Sequence, residues 1–476
     1  MSVARSRRYD LVIVGMGSGG MPAAELAASL GLRVGAVERD KVGGDCLWTG
    51  CVPSKALLAA AKVAHHLRTA DRFGLPALPR AEVDTAEVWK RVRAVQHDIA
   101  GTDDSPERFE RLGVELVRGA ARLEADRTVV VGEQRLRARF VLVCTGSRPA
   151  VPPVPGLADA GFLTSETLFE IERAPSRVVF IGGGPIAVEL AQACGRLGVA
   201  VTVLQRGPTI LGRDEPELVG VLARLLVAEG VDLRLDVETH RVERRPGAKV
   251  VVGTERGVPA EWVADELMVA AGRRPNVEGL GLEALGVEVG ARGIVVDNRM
   301  RTAVPWIYAA GDVAGRYLFT HSSAHEAVRA VRDMFFPGRG TVSDQVPWCT
   351  FTDPELAHVG MTTAEAREAF GAGATAWPIE LAHSDRARAD GAADGLVRVV
   401  TGPRNRIVGA HILAPSAGEM IHELALAMKE RLRINELAGM IHVYPTLSTS
   451  IGQLAAEASF GVARRLGWLA RTRWPW

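Results

Sequence analysis

Residues 9–40 read YDLVIVGMGSGGMPAAELAASLGLRVGAVERD, and this stretch decides the fold. Tyr9 to Val14 is an apolar, β-branched run, which predicts a buried strand. A glycine turn follows, then an alanine-rich helix from Pro22 to Leu30 and a second strand, Leu32 to Val37, ending at Glu38. The turn carries G-x-G-x-x-G: Gly15 for the tight bend, Gly17 for close backbone approach to a pyrophosphate, and Gly20 for close helix–strand packing. The free N–H groups at the helix start then face the phosphates. An acid at Glu38 accepts hydrogen bonds from adenosine ribose hydroxyls. A lone glycine motif is weak evidence, but strand, helix and terminal acid together make it a dinucleotide site.

The pattern recurs at Arg177 to Ala187, RVVFIGGGPIA, where Gly182 and Gly184 lead and Ala187 takes the third small position. A helix to Leu197 and a strand from Val199 to Leu204 are expected after it. Two such folds imply two dinucleotides. At the second strand end stands Gln205-Arg206 rather than an acid. An arginine pairs with a 2′-phosphate that an acid would repel. NADPH is therefore expected at this site, with NADH as the alternative and a solvated Arg206 as the plainer reading.

A chain of 476 residues exceeds one ordinary core and implies two or three domains. Apolar residues at 47% and charged residues at 24% are typical of globular proteins, and a net charge of +1 gives no reason to expect nucleic acid or an anionic membrane as partner. The apolar run at the N-terminus is broken by glycine too early for a signal peptide, and none is long enough to span a bilayer. Five cysteines do not make a disulfide scaffold, so a cytoplasmic protein is expected, with any disulfide catalytic.

Two of these cysteines lie close together in Gly43 to Lys55, GGDCLWTGCVPSK. Cys51 precedes Pro53 and an alanine-rich run, so it sits near a helix start, a position that favours thiolate. The spacing to Cys46 lets the sulfurs meet without requiring it. Half a zinc site or two buried thiols are the other readings; no second pair at metal spacing accompanies them, and no metal is expected. Cys144, Cys194 and Cys349 stand singly among apolar or helical neighbours, as buried thiols do.

At this point the chain resembles the class I pyridine nucleotide–disulfide oxidoreductases, the family of glutathione reductase, dihydrolipoyl dehydrogenase and mercuric reductase. GGDCLWTGCVPSK resembles the family's GGTC-x4-C-[IV]-P-[ST]-K motif. VLVCTGSRP, with Thr145 and Gly146, and AAGRRPN, with Gly272 and Arg273, are similar to two cofactor segments. TAVPWIYAAGDVAG, with Gly311 and Asp312, is similar to the second FAD motif, and FTDPELAHVGMTTAEA to the start of the dimerisation domain. The resemblance implies FAD in the first site, bound also at Gly44, and an α/β fold. That fold has two Rossmann-like dinucleotide-binding domains, for FAD and NAD(P), plus a C-terminal α+β dimerisation domain. The order of motifs then gives an FAD domain over 1–155 and 275–345, an NAD(P) domain over 156–274 and a C-terminal domain over 346–476. A homodimer is expected, each active site completed by the partner's C-terminal domain.

By the same resemblance, electrons pass from nicotinamide through flavin to a Cys46–Cys51 disulfide and on to a small thiol or disulfide substrate. Cys51 is the flavin-proximal thiol, Cys46 the interchange thiol, and Lys55 lies near the flavin and pairs with Glu189. Pro185 stands where several relatives carry an aromatic gate. The departure lies in Ile441 to Thr449, IHVYPTLST. Disulfide-reducing members read H-x-H-P-T-x-x-E, but here Tyr444 and Thr449 replace the acid/base histidine and its glutamate. A tyrosine with a pKa of about 10 moves protons poorly near neutrality. His442 remains as a substitute base or as a structural contact, and in a strand it would share a face with Tyr444. The tail ARRLGWLARTRWPW has no cysteine pair to relay mercury inward; its Trp468, Trp474 and Trp476 pack on the partner, cover a pocket or stay exposed. Metal-ion (Hg or Cu) reduction and quinone or diaphorase-type reduction are the alternative functions.

Overall fold

The computed structural model describes residues 7–76, 83–338, 340–465 and 468. Contacts divide it into two compact units, one of residues 1–57, 84–175 and 266–344, the other of 58–83, 176–265 and 345–476. Trp474 and Trp476 lie outside the described residues, whereas Trp468 is exposed.

In the first unit, β1 (Arg7–Val14), α1 (Gly20–Ser29) and β2 (Val34–Glu38) follow the expected order with ends shifted by a residue or two. Helix α2 (Gly44–Trp48), α3 (Cys51–Arg68, whose residues from Leu58 on belong to the second unit) and α4 (Thr85–Gly101) come next. Strands β3 (Glu115–Arg118), β4 (Ala121–Glu124), β5 (Thr128–Val131) and β6 (Gln134–Val143) complete a sheet ordered β3-β2-β1-β6-β5-β4, with Ile307–Ala309 also on β6. β1 pairs in parallel with both β2 and β6 and is covered on both faces. Leu11 and Ile13 pack with Ala23, Ala24 and Ala27 of α1, while Val12 and Val14 join Val141 and Val143 on the other side. A strand buried on both faces reads as a continuous apolar run, which is why β1 is so legible.

In the second unit, strands Arg177–Ile181, Ala200–Leu204 and Asp232–Arg234 are parallel, with helix Pro185–Arg196 between the first two. An antiparallel ribbon, Val237–Arg245, Ala248–Glu255 and Val258–Ala264, follows. The C-terminal part is a five-stranded antiparallel sheet covered by helices Ala417–Lys429 and Thr449–Arg465, which bury Leu424, Ile451 and Leu454 against Val397 and Ile412. Among the described residues no helix is long and apolar enough to cross a membrane.

Asp214, just beyond the second glycine motif, is buried and accepts the Trp348 indole N–H at 2.9 Å. Burial raises its carboxyl from the ordinary aspartate range to about 6. A raised folded pKa means stability present at low pH and lost as pH climbs through about 6. Asp214→Asn keeps the acceptor for Trp348 and removes the buried charge. The variant is expected to be more stable than wild type at pH 7–8 by about 3 kcal/mol, with most of the difference gone near pH 4. Thermal unfolding across that range checks this; a gain that persists at pH 4 would refute the electrostatic cause.

Candidate active site

The first glycine turn is built as a cradle. Gly15 has φ +100°, and a Cβ there would overlap the Cys144 carbonyl; a Cβ on Gly20 would overlap the Gly15 carbonyl. Gly17 stands open except toward Gly44, and Gly146 has φ +69° with nothing near its Cβ position. Glu38 closes the turn, accepting the Met16 N–H at 2.7 Å and the Asp40 N–H at 2.8 Å.

A second group of elements holds the turn from the far motifs. Thr145 Oγ1 donates to the Asn276 carbonyl at 2.7 Å, and Asn276 Nδ2 donates back to the Thr145 carbonyl at 3.0 Å. Strands Ser147–Pro149 and Arg273–Pro275 pair antiparallel just beyond, next to Gly272, whose φ is +130°. Arg273 donates to Ser147 Oγ at 2.7 Å and forms an ion pair with Asp45; Ser147 Oγ donates to Asp312 at 2.5 Å. Burial raises the Asp312 carboxyl, against the opposing pull of Ser147 and Arg273. Gly311, with φ +79°, donates its N–H to Glu326 at 2.9 Å. An open cradle free of side chains, a strand-end acid and a half-hidden aspartate together fit the pyrophosphate, ribose and ribityl chain of FAD.

The two thiols sit on a helical hairpin beside that cradle. Gly43, with φ +97°, donates its N–H to the Met16 carbonyl at 2.9 Å. α2 is a single turn carrying Cys46, and α3 starts at Cys51 itself, as the run after Pro53 predicted. Gly50 fits the sharp return because a Cβ there would lie 2.9 Å from the Asp45 carbonyl. Cys51 Sγ lies 3.3 Å from Thr320 Oγ1, on the first residue of helix Thr320–Phe335. The Cys46 thiol is held far above its ordinary value, first by its hydrogen bond to Cys51, then by burial and by repulsion from Cys51. Thr320 and Ser18 pull the other way. Cys144 and Cys194 are buried, and burial pushes the Cys194 thiol up to about 12; Cys349 is only half-buried.

Lys55 lies one turn along α3 in the first unit, and Glu189 belongs to the second, where it accepts the Phe351 N–H at 2.9 Å. At the second glycine motif Gly182 has φ +119° and Gly184 caps the helix that Pro185 begins. Arg206 is exposed just past the strand end.

The C-terminal segment is irregular over 441–448, so His442 and Tyr444 do not share a strand face. The His442 side chain is 7% exposed, with Nε2 3.0 Å from Glu423 and Nδ1 so close to Gly452 that a Cβ there would stand 2.7 Å away. Tyr444 is 68% exposed, and its hydroxyl donates to Asp385 at 2.9 Å. That bond raises the phenol above its ordinary value. The outward polar group of the segment is therefore the tyrosine. Thr320, Ser18, Asp385 and Glu423 went unmarked in the sequence, because each reaches its partner only through the tertiary fold. Among the described residues no group of three or more His, Cys, Asp or Glu is arranged to hold a metal ion.

Residues 9–332 match the family model for pyridine nucleotide-disulphide oxidoreductases, and 346–455 match the family's dimerisation domain. The chain belongs to this family. It is 37% identical over 466 residues to a dihydrolipoyl dehydrogenase of Thermus scotoductus, covering 95% of this chain and 97% of that one. It is 36% identical over 465 residues to a mercuric reductase of Acidithiobacillus ferrooxidans, covering 95% and 82%. A glutathione reductase of Burkholderia cepacia is 36% identical over 450 residues, covering 92% and 97%. Among solved structures, the Cu(II) complex of the HOCl-induced flavoprotein disulfide reductase RclA from Escherichia coli superposes with a TM-score of 0.84 at 26% identity, covering 95% and 99%. The protein is thus an FAD-dependent pyridine nucleotide–disulfide oxidoreductase by family, with a mixed α/β fold and a C-terminal dimerisation domain.

Proposed function

We propose that this enzyme passes electrons from NADPH through FAD to the Cys46–Cys51 pair, and from Cys46 to a small disulfide. The observation that carries the reading is the asymmetry of the two sulfurs beside the glycine cradle. Cys46 lies on α2, while Cys51 opens α3 with its Sγ 3.3 Å from Thr320 Oγ1. FAD, when bound, supplies the carrier that moves an electron pair between nicotinamide and thiols. The functional domains are those given by the motif order: 1–155 with 275–345 for FAD, 156–274 for NAD(P) and 346–476 for dimerisation. The dimerisation domain supports a homodimer, with Lys55 the cation near the flavin and Glu189 an acid of the NAD(P) domain.

At the acceptor, Cys46 Sγ attacks one sulfur of the disulfide, losing its proton as the first acceptor thiol leaves. Cys51 Sγ then attacks Cys46 Sγ, closing the internal disulfide and releasing the second thiol. The acceptor gains two electrons from the protein pair, one proton from Cys46, and a second proton from solvent as the last thiolate leaves. His442 holds its loop to Glu423 and stays out of this proton traffic. Tyr444, its phenol kept protonated by Asp385, serves as a hydrogen-bond donor where most relatives supply a base.

A second reading is reduction of a soft metal ion. It is favoured by the mercuric reductases among the relatives and by the copper complex of the structural neighbour. Two thiols are suitable soft ligands for Hg(II) or copper.

Reduction by NADPH without oxygen is expected to produce a long-wavelength thiolate–flavin absorbance band in wild type and none in Cys51→Ser. Cys46→Ser should keep the band and lose disulfide turnover. A Cys51→Ser enzyme with undiminished turnover would contradict the dithiol route and favour direct reduction of a quinone. Arg206→Ala is expected to lower the NADPH-over-NADH ratio of kcat/KM about tenfold, the loss of one charge-assisted pair. Steady-state kinetics with both nucleotides measures this, and an unchanged ratio would remove Arg206 from cofactor selection.

A further inference from the structure

Helix α4 carries a buried side chain aimed at the redox hairpin. Gln96 is 5% exposed. Its Nε2 donates to the Leu47 carbonyl at 3.1 Å and to the Trp48 carbonyl at 2.7 Å. Those are the last two residues of α2, whose final carbonyls have no partner within so short a helix. The next residue of α4, His97, meets the Trp48 ring edge-on at 5.9 Å. Trp48 Nε1 donates to the Val42 carbonyl at 2.8 Å, and Lys41 lies over the same ring at 4.6 Å. One turn earlier, Arg91 reaches the Ala56 carbonyl of α3 at 3.4 Å. Helix α4 therefore grips both arms of the hairpin that carries the two sulfurs.

We infer that Gln96 is a positioning residue for the redox pair: its amide fixes the end of α2 and so holds Cys46 at the distance and angle that closing the disulfide with Cys51 requires. The inference rests on the reading of Cys46 and Cys51 as a redox pair. The physical argument is effective concentration. A disulfide needs a narrow range of Cα separations and torsions. A hairpin held in that range raises the effective molarity of one thiol toward the other, and a loosened hairpin lowers it. The five-residue helix α2 has too few internal hydrogen bonds to keep its own shape. Replacing the amide also leaves two carbonyls without their donor, one of them on the buried Leu47. Neither consequence involves contact between Gln96 and substrate or flavin.

The test is the thiol–disulfide equilibrium of the pair in the FAD-loaded protein. Holoenzyme is equilibrated with graded mixtures of reduced and oxidised dithiothreitol, and the fraction of Cys46 and Cys51 open to alkylation is read by mass spectrometry. Reduced dithiothreitol gives up two electrons and two protons and cyclises as the protein disulfide becomes two thiols. Gln96→Met keeps the length and packing of the side chain and removes the donor; Gln96→Glu keeps the shape and also removes it. Both are expected to shift the equilibrium at least tenfold toward the dithiol, and to weaken the thiolate–flavin band at unchanged flavin content. A wild-type equilibrium constant in both variants, with only a lower melting temperature, would overturn the role of Gln96 and leave the redox pair standing. Failure of the wild-type pair to form a disulfide at all would overturn both.

Discussion

The two thiols are placed by a contact that only glycine backbones can make. The N–H of Gly43 reaches the Met16 carbonyl at 2.9 Å, and a Cβ on Gly44 would stand 2.8 Å from Gly17 Cα. Gly44 also has φ +55°, a backbone region that side chains disfavour. This contact lays the two-thiol hairpin on the first glycine turn, so the placement of the thiols is inherited from that turn. The Asp45–Arg273 ion pair, the Thr320 hydroxyl and the Gln96 amide all act on a hairpin whose place is already fixed.

What differs from the familiar members lies at the other end of the chain. The position that usually carries a base carries Tyr444, which is exposed and hydrogen-bonded to Asp385. The histidine two residues earlier is turned inward between Glu423 and Gly452. A protonated phenol can stabilise a developing negative charge but cannot collect a proton near neutrality. On the proposed dithiol route, the electron path is kept in the chain's own residues while the proton path is changed.

The nucleotide folds were legible because their physics is local. β1 is buried on both faces and so reads as an uninterrupted apolar run, and the glycines after it are demanded by tight turns and overlaps. The start of α3 at Cys51 was legible from Pro53 and the alanines behind it. The one-turn helix α2 was not, since five residues carry no periodicity and its form depends on Gln96, far along the chain. Treating Ile441 to Thr449 as a strand would have placed His442 and Tyr444 together; the irregular backbone and the neighbouring helices set them apart. Thr320 and Asp385 carry no motif, and only the fold delivers them.

On the proposed route the electron pair leaves the flavin for Cys46 and Cys51. An anaerobic reductive titration measures it directly, by counting the electrons that one bound flavin's worth of protein accepts. Wild type is expected to take up a second electron pair beyond the flavin's own, and Cys46→Ser/Cys51→Ser to take up the flavin's pair alone. Equal uptake by the two proteins would contradict the claim.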